Sequence, residues 1–353
     1  MSPRSLAVRL AGATLAAFLI AIAGYGAYWQ WLAGAAKDAV AVWQAARRAE
    51  GWTVSHEGLD VGGFPSEVRL VIAAPELRTP DGFGWRTKTL VAKVSPLTPR
   101  QAVLVPAERQ EVEFPLGNSP MSARLDARAA EIRVRLPAEG GVRVAATLGP
   151  AVVTWSEEGA VSVASLAVDV VAARPEPAAE SSESTISLSA REVALPDVNS
   201  PLGRRIGAFT MRARLQGRLD LHRPIAAEAA RWRDDGGVAE IENLAIVWGP
   251  LDMAMEGTLA LDGRLQPMAA MTGTLRGYAE TVDLFVRGGQ VRPADGRAVK
   301  LMLALMARSP AGGGPPQIKV PLTAQDGLFY VGPVAVAKVP LIVWPPGYST
   351  SAK

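Results

Sequence analysis

From Trp52 onward the chain repeatedly alternates apolar and polar residues with a period of two, and this pattern constrains the fold more than any other feature of the sequence. In Met211 to Leu221, the residues Met211, Ala213, Leu215, Gly217, Leu219 and Leu221 alternate with Arg212, Arg214, Gln216, Arg218 and Asp220. A strand points successive side chains to opposite faces, so this segment reads as a strand with one apolar and one polar side. The pattern recurs at Val68, Leu70 and Ile72, at Ile132, Val134 and Leu136 against Arg133 and Arg135, and at Met255, Gly257, Leu259 and Leu261. It recurs again in Val142 to Leu148, Ile186 to Ala190 and Ile318 to Leu322. Clean alternation belongs to antiparallel sheets with one covered and one wet face; buried parallel strands read as continuous apolar runs. Turn signals punctuate it: Gly62-Gly63-Phe64-Pro65, Pro80-Asp81-Gly82, Glu139-Gly140-Gly141, Asp262-Gly263 and Asp326-Gly327.

Three helical patterns enter late. Ile225 to Arg233 is Ala-rich behind Pro224, Tyr278 to Arg287 spaces Val282 and Phe285 helically, and Arg297 to Ala307 carries Val299, Leu301, Met302, Leu305 and Met306 on a broad face read as core. Arg174 to Ser184 and Ser309 to Pro316 are low-complexity and read as exposed loops. The first loop divides the β-region into near halves. Met121 to Arg128 matches Met211 to Arg218 at Met, Ala, Arg, Leu and Arg, which is compatible with two similar β-units.

One apolar run precedes all of this. Leu10 to Trp29 carries no charge over a length of about 30 Å as a helix, enough to cross the hydrocarbon of a bilayer. Arg4 and Arg9 precede it and the first acid is Asp38, so the positive-inside rule places the N-terminus in the cytoplasm. Trp29 and Trp31, with Tyr25 and Tyr28, stand where membrane-interface anchors belong. A cleavable signal peptide is the competing reading, given the small residues Ala23, Gly24, Gly26 and Ala27. From Gly34 an amphipathic pattern (Ala35, Ala39, Val42, Trp43, Ala46) continues to Gly51. The expected organisation is therefore a signal anchor at 1–33, a linker helix at 34–51, a first β-unit at 52–173, a loop at 174–184, a second β-unit with helices at 185–343, and a tail at 344–353. The fold class is mainly β with a few helices: a transmembrane helix, then a long curved antiparallel β-meander with an apolar trough.

Composition removes several function classes. The 37 Lys and Arg nearly balance the 34 Asp and Glu, which is no footprint for nucleic acid. The absence of Cys excludes disulfides, thiolate chemistry and iron–sulfur clusters, and two histidines, His56 and His222, cannot form a Cys/His zinc site. Nucleophile-elbow, phosphate-loop and His-Glu-x-x-His patterns are missing, so no catalytic residue, cofactor or metal is expected. Asp169, Glu192 and Asp197 are carboxylates that could in principle pair as acid and base, but carboxylates occur throughout the chain and sequence alone does not show which converge. The arginines Arg133, Arg135, Arg212, Arg214 and Arg218 form a stripe that reads either as an anion site or as a salt-bridged solvent face.

The run Gly51-Trp52-Thr53-Val54, followed by Gly58-Leu59-Asp60-Val61-Gly62-Gly63-Phe64-Pro65 and the Val68-Arg69-Leu70 strand, resembles the family catalogued as domain of unknown function 2125 in Gram-negative bacteria. Met211 to Leu221 and Met255 to Asp262 with Pro267 fit the same picture, so the resemblance covers nearly the whole chain. That family implies no activity and no site residues. More loosely, the Gly-Thr-Leu starts at Gly257 and Gly273 and the closing Asp326 to Pro333 are similar to AsmA-like envelope proteins. This similarity implies an inner-membrane anchor holding a curved sheet with an apolar trough, associated with phospholipid movement and outer-membrane assembly. The expectation is a single-pass inner-membrane protein with its bulk in the periplasm, not an enzyme, binding membrane lipid. Leu215, Leu219, Leu259 and Leu261 are the expected trough lining. The alternatives are a scaffold or assembly factor that contacts other envelope proteins, and an envelope enzyme using carboxylates.

Overall fold

The computed structural model describes residues 3–116, 119–138, 140–155, 159–172, 183–196, 200–217, 225–309, 315–332, 334–342 and 344. Helix α1 (Pro3–Ala49) is followed by β1 (Thr53–Ser55), β2 (Gly58–Gly62), β3 (Val68–Ala73), β4 (Glu76–Arg78), β5 (Gly84–Thr87), β6 (Thr89–Ser95), β7 (Thr98–Pro106) and β8 (Arg109–Leu116). Then come β9 (Ser119–Ala127), β10 (Ala130–Arg135), β11 (Val142–Leu148), β12 (Ala151–Thr154), β13 (Ala160–Val163), β14 (Ser165–Ala172), β15 (Ser184–Ala194) and β16 (Arg205–Gln216). Helix α2 (Ile225–Asp234) leads to β17 (Val238–Trp248), β18 (Leu251–Leu261) and β19 (Pro267–Arg276); helices α3 (Tyr278–Arg287) and α4 (Pro293–Met306) lead to β20 (Ile318–Gln325), β21 (Leu328–Val331) and β22 (Val334–Lys338).

Every strand pairing among the described residues is antiparallel, and together the strands make one open meander in which the first part is folded over a corner. One ladder runs β2-β3-β6-β7-β10-β11-β14-β15-β16-β17-β18-β19-β20-β21-β22. A second runs β1-β4-β5-β8-β9-β12-β13 and joins the first at β15 through Ser162 and Ala194. The reason is local. Each long strand before β15 is interrupted by one or two residues, as at Ala74-Pro75, Ala107-Glu108, Arg128-Ala129 and Gly149-Pro150. Backbone bonds such as Ala107 N–H to Thr89 O and Gly149 N–H to Ala129 O stitch the corner from strand to strand, so the bend leaves few polar groups unpaired. Ala127, Ala130 and Ala151 are buried there with Leu125, Leu148 and Val163 around them, uniting the apolar faces of both ladders on the inside of the bend.

The register confirms the expected alternation. In the long ladder, Leu70, Ala92, Leu104, Ile132, Ala146, Val168, Leu188, Met211, Leu244 and Met255 are successive cross-strand partners on one face. The opposite face carries Arg143 with Asp169, Arg214 with Glu242 and Arg276 with Asp252. One expectation needs correction. The strand read as Met211 to Leu221 spans Arg205–Gln216; Gly217 follows with φ 106, and residues 218–224 lie outside the described ones. Most of the expected loop at 174–184 also lies outside the described residues; β14 and β15 on either side of it pair along seven residues, so the sheet is continuous there.

Helices cover the apolar face at its two ends. α1 is a single helix through the expected boundary at 33/34, about 70 Å long. Its residues Trp29, Leu32, Ala33, Ala36 and Val40 recur at helical spacing and pack on Val68, Leu70, Ala92 and Leu104. At the other end, Trp232 of α2 sits over Ala213, Ala239 and Ile241, and its Nε1–H donates to Gln216 O at 2.8 Å. A Cβ at Gly237 would lie 2.3 Å from the Trp232 ring, so the residue before β17 has to be glycine for the indole to seat. Ile318, Val320, Leu322 and Met255 form the third cluster, with Tyr278, Leu303 and Ala307 from α3, α4 and their flanks. The expectation that the whole broad face of α4 is core is wrong. Leu303 faces the sheet, whereas Leu301, Met302 and Met306 are exposed and Leu305 is 82% exposed.

Candidate functional site

Between the helix-covered ends lies a stretch of the same apolar face with a different environment. Packing from α1 reaches Leu104 on β7, and packing from α2 begins at Ala213 on β16. The intervening strands β11, β14 and β15 present Val144, Ala146, Val168, Val170, Ile186 and Leu188, in register with one another. All six are half-buried, and none joins the buried clusters formed with the helices. Among the described residues, helix-to-strand packing is concentrated on β1, β3, β18 and β20. With β10 included, four strands about 4.8 Å apart make an apolar field roughly 19 Å wide, and the seven residues of β11 run about 23 Å. A contiguous apolar surface of this order on a protein marks a contact site for protein or lipid.

The polar side of the same strands is a shallow groove of about 730 Å³. Its floor is small side chains, Ala145, Ala167, Ser187, Ser189 and Thr210, bordered by Asp169, Arg212, Glu242 and Asn243. Asp169 pairs with Arg143 at 3.1 Å, and Arg214 Nε donates to Glu242 at 2.9 Å. The hydrogen bond from Arg214 to Glu242, then the carboxylate's charge, hold the Arg214 guanidinium above its ordinary value; Glu111 does the same to Arg86. Arginine is already protonated across the accessible pH range, so these shifts add no pH dependence. Both partners are solvated, and exposed pairs contribute little to stability. Arg214→Ala is therefore expected to leave the thermal midpoint of the purified protein within error of wild type.

The sequence-derived residues fall as follows. Leu215, Leu259 and Leu261 do lie on the apolar face, but beside Trp232 at the edge covered by α2; Leu219 is outside the described residues. The open field belongs to Val144, Val168, Val170, Ile186 and Leu188, which sequence reasoning did not single out. Their alternation was visible, but alternation is identical for covered and uncovered faces. Arg133 pairs with Glu131 at 2.6 Å; Arg218 and His222 lie outside the described residues. His56 stands at the corner in a polar crevice with Arg86, Lys88, Arg109 and Glu111. Asp169 and Glu192 are not brought together: Ser187 is the partner of Asp169, and Glu192 lies five residues, about 16 Å, further along the strand, paired with Arg205 at 3.1 Å. Asp197 is outside the described residues. No cluster of three or more metal-ligating side chains occurs among the described residues.

At the N-terminus, α1 is long and apolar enough to cross a membrane, and only 11% of its apolar window is buried within the protein. The backbones of Arg4 and Arg9 belong to this helix, but their side chains lie outside what is described. Trp31 is exposed and stacks on Tyr28 with centroids 6.0 Å apart. Trp29 differs from the interface anchor expected of it. It is 6% exposed, packs on the sheet, and donates Nε1–H to Glu67 O at 3.0 Å.

No curated protein matches the chain, and no solved structure matches it. A family model does, over residues 29–340, and its description is that of an uncharacterized protein conserved in bacteria. That span takes in everything from Trp29, the first buried residue of α1 among those described, to the end of the last strand, and the chain belongs to this family, DUF2125.

Proposed function

We propose that the protein is a membrane-anchored, non-catalytic binder of lipid or of another apolar component of the bacterial cell envelope, held by α1 in the inner membrane with the sheet in the periplasm. The observation that carries this reading is the stretch of apolar face at β11, β14 and β15 that no helix among the described residues covers, in a chain that also has a helix able to cross a bilayer. The dimensions suit an acyl chain. A single leaflet is about 15 Å deep, so the roughly 23 Å length of the strands accommodates one extended chain alongside them. Covering apolar surface is worth roughly 25 cal/mol per Å² before ordering costs are subtracted, which favours an acyl chain on this face over water. The near balance of charge argues against a polyanionic partner. A native mass spectrum of the full chain released from detergent tests the reading: satellites heavier by the mass of a phospholipid are expected, and a spectrum of bare protein alone would contradict it.

A second reading, a scaffold that contacts other envelope proteins, has one observation in its favour. The exposed stripe Leu301, Met302, Leu305 and Met306 on α4 is an apolar surface separate from the open sheet face.

A further inference from the structure

We infer that the turns at the start of the sheet, tipped by Phe64 and Leu97, insert into the bilayer surface beside α1, so that the protein meets the membrane at the edge of its sheet as well as through its helix. The inference rests on the reading of α1 as a membrane anchor and goes beyond it. The two turns are fixed to the helix inside or at the end of the uncharged run Leu10 to Trp29. Tyr25 donates its hydroxyl to Pro65 O, Tyr28 donates to Pro96 O at 2.9 Å, and Trp29 donates to Glu67 O at 3.0 Å. The Phe64 ring lies edge-on to Trp29 with centroids 5.5 Å apart and tilted to Tyr25 at 6.3 Å.

Depth follows from helix geometry. Tyr25 precedes Trp29 by four residues, about 6 Å along the helix, so whatever touches Tyr25 lies within the last turn of the apolar span. A water-facing turn at that level would ordinarily be polar. Instead Phe64 is 58% exposed and Leu97 is 88% exposed, and Leu136, on the next turn along the same edge, is 54% exposed. Local hydrogen bonds and backbone geometry define both turns. Leu97 N–H donates to Ser95 Oγ at 3.3 Å, and Gly63 takes φ 97 where a Cβ would meet Glu67 O at 2.6 Å. In the first turn Glu67 pairs with Arg69, and beyond the second stands Arg100, a cation suited to an anionic headgroup. Apolar side chains held on rigid turns beside an aromatic-bearing helix end match the interfacial zone of a bilayer, where one side of a ring is apolar and the other wet.

The chain has no cysteine, so single labels report cleanly. The full chain carrying Leu15→Cys, Phe64→Cys, Leu97→Cys or Arg292→Cys would be labelled with a polarity-sensitive fluorophore. Each would be placed in vesicles of phosphatidylethanolamine and phosphatidylglycerol containing a phospholipid brominated near the top of its acyl chain. Labels at positions 15, 64 and 97 are expected to lose most of their fluorescence to the bromines, and the label at 292, the exposed residue that caps α4, is expected to keep it. Quenching at 15 with positions 64 and 97 behaving like 292 would overturn the insertion and leave the anchor standing. Lack of quenching at 15 would overturn the anchor and the insertion with it. Because Phe64 and Leu97 are on separate turns, either variant decides the question if the other fails to fold.

Discussion

Leu322→Asp is expected to unfold the chain, whereas Leu188→Asp, the same chemical change on the same face of the same sheet, is expected to leave it folded. Leu322 is 1% exposed in the cluster with Ile318, Val320 and Met255. Truncation there costs about 2–5 kcal/mol in lost transfer energy and cavity, and an unpaired buried carboxylate costs more. Domains are stabilised by only about 5–15 kcal/mol, so the aspartate exhausts the margin. Leu188 is half-buried and outside the helix-covered clusters, so a carboxylate at its position reaches water. Far-ultraviolet circular dichroism and thermal melts of the two variants check the contrast. Equal unfolding in both would mean that the middle of the sheet is as well covered as its end.

Trp232→Ala is expected to destabilise the second half of the sheet by about 3–5 kcal/mol, the usual range for deleting a buried tryptophan. The indole is buried with Ala213, Ala239 and Ile241 in a cluster against which Leu215, Leu244, Leu259 and Leu261 pack, and it satisfies Gln216 O at the end of β16. Its removal opens a hole beneath α2 and lays those leucines bare. Chemical denaturation with intrinsic fluorescence from the remaining tryptophans measures the loss. A change of less than about 1 kcal/mol would mean that α2 is not a structural lid, since surface substitutions fall within about half that value.

Much of this architecture is legible in the residues. The alternation of Met211, Ala213 and Leu215 with Arg212, Arg214 and Gln216 assigns both faces of β16, and Asp262-Gly263 and Asp326-Gly327 do sit in hairpin turns. The corner is not legible. Ala107-Glu108 and Arg128-Ala129 carry no turn signature, and they break the strands only because neighbouring strands break at the same level and exchange backbone bonds there. Gly34 and Gly51 look alike as helix ends, yet α1 passes through Gly34, where docking of Trp29, Leu32, Ala36 and Val40 outweighs the roughly 1 kcal/mol penalty of a helical glycine. The apolar stripe of α4 was misjudged because helical spacing reveals that a face exists, not what meets it. For the same reason Leu215, Leu259 and Leu261 could not be told from Val168, Val170 and Leu188: the difference between them is made by where Trp232 lands.

The open apolar field is the centre of the functional proposal, and lipid bound per protein tests it most directly. Phospholipid phosphorus would be assayed in the detergent-purified full chain, in Leu188→Asp, in Val168→Asp, and in Leu305→Asp on the exposed face of α4. The proposal predicts that wild type and Leu305→Asp retain phospholipid, and that Leu188→Asp and Val168→Asp, still folded, lose it. Retention in all four, or loss only in Leu305→Asp, would contradict it.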